Sequence, residues 1–163
     1  MDKNKNGQGG RFLERALHML SIREHSLQEL ESKLLRIGCS REEAADVAEK
    51  CLAWGYLDDR RFAECFAEEK LRCGWGWRRV CAELLKRGIS EEIIGEICQN
   101  SDSEKGKQLQ YENAKELARR KSAQGRSFAS VCRFLSSRGF DAETVLAAAK
   151  EALSEQDAGD DDF

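Results

Sequence analysis

The chain contains no proline, so no helix is broken by a missing N–H or by a ring pressed into the preceding turn. It has only two histidines, His18 and His25, and neither lies at metal-ligand spacing from a cysteine. None of the seven cysteines forms a C-x-x-C pair, and Cys65, Cys73 and Cys81 are spaced eight apart, which is no zinc pattern. The expectation is therefore reduced, mostly buried thiols, with no disulfide, no metal and no cofactor. Long apolar runs are also missing, which argues against a membrane-spanning helix. The opening MDKNKNGQGG lacks the apolar centre of a signal peptide, so the expected location is cytoplasmic. An excess of basic charge is absent too: the formal net charge is −3, not the balance of a dedicated duplex-DNA binder.

What the chain does have is 40% hydrophobic and 35% charged residues, the profile of a folded domain with a heavily charged surface. Basic residues come in clusters: Arg60-Arg61, Arg78-Arg79, Lys86-Arg87 and Arg119-Arg120-Lys121. Acidic residues gather at the end, in DAGDDDF.

Three stretches, KLLRIGCS, ELLKRGIS and FLSSRGFD, share one register when aligned on Gly38, Gly88 and Gly139, which are 50 and 51 residues apart. Four residues before each glycine stands Leu34, Leu84 or Leu135. Eight before stands Leu30, Val80 or Val131, and eleven before stands Leu27, Trp77 or Phe128. These steps of three and four put all three positions on one helical face, which is expected to be buried. After each glycine come an apolar residue (Cys39, Ile89, Phe140) and a helix-capping type (Ser40, Ser90, Asp141). Ser40 with Glu43 reads as a capping box opening the next helix. Further amphipathic segments precede each match, at Arg11 to Ile22, Asp59 to Arg72 and Gln110 to Ser122.

The pattern predicts an all-α protein of three tandem three-helix repeats forming an extended, curved right-handed-helix array. Repeat one is expected over 11–57, repeat two over 58–100 and repeat three over 110–154. Residues 1–10 read as a disordered N-terminus, 101–109 (within NSDSEKGKQ) as a linker, and 155–163 as an acidic disordered tail. No alternating strand pattern is present. A three-helix unit of this size has a small core, so neighbouring repeats are expected to share burial.

The junction WGYLDDRRFAECF, together with ALHMLSIREHSLQELESKL, GWGWRRVCAELLKRGI and RFLSSRGFDAETV, resembles the RecX family. The likeness runs from Arg11 to about Leu153, and the element from Gly55 to Ala63 is its most specific part. It implies a non-enzymatic, monomeric regulatory protein that lies along the RecA–DNA filament and modulates, mainly by inhibition, recombinase and ATPase activity and filament extension. That places it in homologous recombination, DNA repair and the SOS response. One departure is local: Trp75 and Trp77 stand where family members usually carry a basic or small residue and then proline.

No catalytic constellation is readable; pairs such as Glu42-Glu43 and Glu91-Glu92 open helices, where acids complement the dipole. The candidate contacts for a RecA filament or for DNA are Arg60, Arg61, Lys70, Arg72, Trp75, Arg78, Arg79, Lys86, Arg87, Arg119, Arg120, Lys121 and Arg126. Arg60 and Arg61 fall in a first helical turn, where positive charge opposes the dipole, so helix stability does not account for them. Asp58 and Asp59 read as a cap and a dipole complement for that same helix. Trp75, whose counterparts are His25 and Arg126, has three readings: an interface anchor, a stacking platform for single-stranded nucleic acid, or packing against repeat one. The competing functional class is a direct nucleic-acid-binding helical module.

Overall fold

The computed structural model describes residues 5–99 and 102–157. Among the described residues there are nine α-helices and no strand: α1 (Lys5–Ile22), α2 (Leu27–Arg36), α3 (Arg41–Ala53), α4 (Asp59–Arg72), α5 (Trp77–Lys86), α6 (Glu91–Gln99), α7 (Glu104–Ser122), α8 (Phe128–Arg138) and α9 (Ala142–Asp157). They form three consecutive three-helix units. None of these helices is long and apolar enough to cross a membrane.

The middle helices α2, α5 and α8 end alike, for a reason the repeated glycine already suggests. Gly38, Gly88 and Gly139 have φ of 92°, 77° and 94°, a left-handed conformation without penalty for a residue lacking Cβ. Each glycine N–H bonds the carbonyl three residues back, on Leu35, Leu85 or Ser136. The next N–H bonds the carbonyl of Leu34, Leu84 or Leu135. This double bond pattern is the Schellman motif, and it brings the residue after the glycine beside the helix's last inward side chain. Those three leucines are fully buried, as are Leu30, Val80 and Val131; Cys39, Ile89 and Phe140 are nearly so. The following helix then starts on a cap: Ser40 and Glu43 form the reciprocal capping box, Ser90 accepts from Ile93 N–H at 3.3 Å, and Asp141 accepts from Thr144 N–H at 2.9 Å.

One inward position departs from the expected stripe. Leu27 and Trp77 are only half-buried, and Phe128 is 38% exposed. Each is the first residue of its helix, so it sits at the rim of the core rather than inside it.

Helix boundaries also differ from the expected segments. Helix α1 starts at Lys5, so 5–10 are helical rather than disordered, because each residue added to a nucleated helix gains a backbone bond at little further entropic cost. Residues 1–4 lie outside the described residues. Helix α7 starts at Glu104 inside the expected linker 101–109: Ser103 caps it by accepting from Gly106 N–H at 3.1 Å. Residues 155–157 continue α9, and the remainder of the acidic tail lies outside the described residues.

The chain divides into two compact units, Met1–Cys65 with Leu84–Ile93, and Phe66–Glu83 with Ile94–Phe163. They do not follow the repeats, since the middle repeat contributes to both. The first unit is centred on Ala16, Leu30, Leu34, Val47 and Cys51, with Leu13, Leu17 and Leu20 packed against them. The second is centred on Ala114, Ala118, Val131, Leu135 and Val145.

Candidate interaction surface

In the second unit, Trp75 is fixed by the glycines that flank it. Helix α4 ends on Gly74 (φ 80°), and Trp75 N–H bonds Lys70 O at 3.0 Å. Gly76 is buried with its N–H on Arg138 O at 2.8 Å, and a Cβ there would lie 2.2 Å from the carbonyl carbon of Gly139. No other residue fits so close to a backbone. The indole so placed is half-buried, with its plane at 78° to the Phe66 ring and the two centroids 6.3 Å apart. The Arg79 guanidinium stands 3.9 Å from its ring centre and the Lys70 ammonium 5.6 Å, both within cation–π range. Of the contacts open to Trp75, the structure gives it one with Phe66 of its own repeat.

The same unit carries a second ring held between cations. Phe134 of α8 has Lys121 Nζ at 4.7 Å and the Arg138 guanidinium at 5.3 Å. Arg79 packs against Gly139, the residue next to Arg138, so the two aromatic–cation groups adjoin through this helix end. Phe134 and Arg138 were not singled out from sequence. Their signal is weak, because Phe134 has Glu83 and Lys33 as its counterparts in the other repeats.

The other candidates in this unit are held differently. Arg72 pairs with Glu68 one turn away at 2.7 Å, both well exposed, a contribution of about 0.3–0.5 kcal/mol. Arg119 pairs with Glu155 at 3.1 Å and Arg120 with Glu116 at 2.9 Å. Arg126 is exposed in the turn after α7. Arg78 is exposed and near Asp141. Burial would raise the Asp141 carboxyl, but hydrogen bonds from Thr144, with the charge of Arg78, hold it below its ordinary value.

In the first unit, Arg61 is absorbed by the fold. Its Nε donates to Glu24 Oε1 at 2.7 Å, and its two terminal nitrogens donate to Gly55 O at 3.1 Å and Tyr56 O at 3.2 Å. The bond to Glu24 holds the guanidinium above its usual value. Arg87 pairs with Glu29 at 3.2 Å. Arg60 and Lys86 are exposed. The two acids beside Arg61 separate in role: Asp58 caps α4 by accepting from Arg61 N–H at 3.0 Å, whereas Asp59 reaches across to accept from Leu27 N–H at 2.8 Å. Asp59 thus caps α2, not its own helix. Burial raises its carboxyl, the Leu27 bond opposing.

His25 was passed over in the sequence as a mere counterpart of Trp75. It is 2% exposed. Its Nδ1 lies 3.0 Å from Arg23 O, an acceptor, so that nitrogen carries the proton and Nε2 accepts from Lys33 at 2.8 Å. Burial lowers its basicity, with Arg23 and Lys33 adding to the effect.

Among the described residues no cluster of His, Cys, Asp and Glu is arranged to hold a metal. The arrangement is that of a surface offering cations and rings.

Known proteins place the chain closely. Residues 13–51 match the model of the RecX first three-helix domain and residues 58–96 that of the second. The regulatory protein RecX of Halorhodospira halophila is 32% identical over 144 residues, covering 88% of this chain and 89% of that protein. The regulatory protein RecX of Acidithiobacillus ferrooxidans is 34% identical over 130 residues, covering 80% of this chain and 83% of that protein. The crystal structure of RecX from Lactobacillus salivarius has the same fold, with a TM-score of 0.75 at 18% identity over 90% of this chain and 97% of that one.

Proposed function

This chain belongs to the RecX family, whose curated members are regulatory proteins, and on that premise we propose that it binds the RecA recombinase filament on DNA. Bound there in the cytoplasm as a monomer, it restrains filament extension and ATP hydrolysis without chemistry of its own. The observation that carries the choice of surface is Trp75, locked between two glycines and lying beneath Arg79 and Lys70. An aromatic ring with rigid support and a cationic surround suits a nucleoprotein, which presents both apolar protein surface and phosphates. Lys121 and Arg138 extend the same surface around Phe134, with Arg78 and Arg126 of the same unit as further cationic contacts.

The test is the DNA-dependent ATPase of RecA with increasing amounts of this protein. The rate should fall as the protein approaches stoichiometry with the filament, and Arg79→Glu with Lys121→Glu should weaken the effect. An unchanged rate, together with no co-sedimentation with filaments, would overturn the reading.

The second reading, a direct nucleic-acid binder, draws on the same rings, because bases stack on aromatic faces whatever their sequence. Affinity for naked DNA separates the two. A direct binder shows a steep fall of log affinity with log salt, set by its phosphate contacts; a filament binder prefers the nucleoprotein to naked DNA.

A further inference from the structure

Cys81 of α5 and Cys98 of α6 face each other with their sulfurs 2.9 Å apart. Both belong to the second compact unit and both are half-buried, so a small oxidant reaches them. The repeat register gives this pair a meaning beyond one distance. Counted from the glycines, Cys81 corresponds to Glu31 and Cys132, and Cys98 to Ala48 and Ala149. Ala48 and Ala149 are buried, so this place in the third helix of a repeat takes a small side chain against the middle helix. Only the second repeat has sulfur at both places: the first has Glu31 with Ala48, and the third has Cys132 with Ala149. A need for small apolar residues explains either cysteine alone, but not why the two coincide in one repeat.

We propose that Cys81 and Cys98 are an oxidation site that a hydroperoxide converts to a disulfide tying α5 to α6. Cys81 as thiolate attacks the distal peroxide oxygen, breaking the O–O bond and giving a sulfenic acid; the departing alkoxide or hydroxide takes up a proton. Cys98 sulfur then attacks the Cys81 sulfur, and the sulfenic hydroxyl leaves as water with the Cys98 proton. In sum, two thiols and one hydroperoxide give a disulfide, an alcohol (or water) and a second water, with the thiols oxidised and the peroxide reduced. The order of roles follows the surroundings. Burial, with the neighbouring sulfur, pushes the Cys98 thiol up to about 12, so Cys98 is the partner that keeps its proton until the second step. This site is independent of what the protein regulates.

The folded full-length protein, reduced and then treated with stoichiometric hydrogen peroxide, provides the test. Lys86 and Arg87 lie between the two cysteines, so trypsin separates them into peptides joined only by the new bond. The expected result is loss of two of the seven thiols, a mass lower by two hydrogens, a Cys81–Cys98 cross-linked peptide pair, and recovery of both thiols with a reductant. Cys81→Ser and Cys98→Ser should each abolish that product while keeping the wild-type circular dichroism. Cross-links chiefly at Cys65 or Cys73, the two exposed cysteines, would overturn the proposal. So would oxidation of Cys81 to sulfinic acid with Cys98 left free. Equal yield of the pair in denaturant would also overturn it, since the folded arrangement would then contribute nothing.

Discussion

Three nitrogens of Arg61 are engaged within the chain, so its replacement tests stability before it tests binding. Arg61→Ala removes bonds to two carbonyls and leaves Glu24, whose Oε2 is already buried and unpartnered, without its cation. The pair is partly exposed, which limits the loss to about 1–2 kcal/mol; urea unfolding at neutral pH measures it. Arg60→Ala, an exposed position on the same helix, should stay within about 0.5 kcal/mol of wild type. His25 supplies a prediction of different sign. Its folded-state basicity is lowered by burial, so the unfolded chain binds the proton more readily. Its contribution is complete above the ordinary histidine value of about 6.5 and is lost progressively as pH falls below that value. Melting temperatures between pH 7.5 and 5.5 should therefore drop more steeply for wild type than for His25→Gln. Parallel pH curves would show that the imidazole is not held neutral.

At the level of the helix, two glycines separate packing from propensity. Gly76→Ala places a Cβ within 2.2–2.3 Å of the Gly139 and Phe140 backbone, and the end of α8 has no side chain to swing aside. The expected loss is about 3 kcal/mol, with α5 and α8 forced apart. Gly95, inside α6, has open space around it, so Gly95→Ala should stabilise by about 0.5–1 kcal/mol through the unfolded state and helix propensity. Denaturation midpoints of the two variants should move in opposite directions. The disulfide between α5 and α6 belongs to this scale as well. Closing a loop of that length stabilises by about 3 kcal/mol where the native geometry accepts the bond, so the oxidised protein should melt above the reduced one.

Across the whole molecule, legibility tracked distance along the chain. Leu34, Leu84 and Leu135 were readable because a helical stripe and a glycine cap lie within a dozen residues of one another, and local periodicity carries them. The first helical position was read one step too deep, because a helix face looks the same at its end and its middle in a sequence. Asp59 and Gln110 were not readable in their roles: each caps a backbone N–H that is 32 or 33 residues earlier, Leu27 at 2.8 Å and Trp77 at 3.2 Å. The candidate cations divided for the same reason. Arg61 and Arg87 face acids brought to them by the fold, at Glu24 and Glu29. Arg79 and Lys70 face a ring whose position two glycines determine. Charge clusters in a sequence mark where cations are, not what lies opposite them.

Those two distant caps share a direction. The first turn of α2 is completed by Asp59 of the next repeat, and Ser26 beside it donates to Arg87 O at 2.7 Å, also in the next repeat. The first turn of α5 is completed by Gln110 and by the Gly76–Arg138 bond, again from the repeat that follows. Each repeat thus leans on its successor, and the asymmetry matters for a chain made from its N-terminus. During synthesis a middle helix has its sequence in hand but lacks its closing partners until about thirty to sixty more residues emerge, about two to twelve seconds later at ordinary elongation rates. Shortening from the two ends should then be unequal. Loss of residues 1–57 leaves the start of α5 fully capped, whereas loss of everything after residue 99 strips Gln110 and Arg138 from it. Hydrogen exchange at the Trp77 amide in the two truncated chains would report the difference as slow in the first and fast in the second.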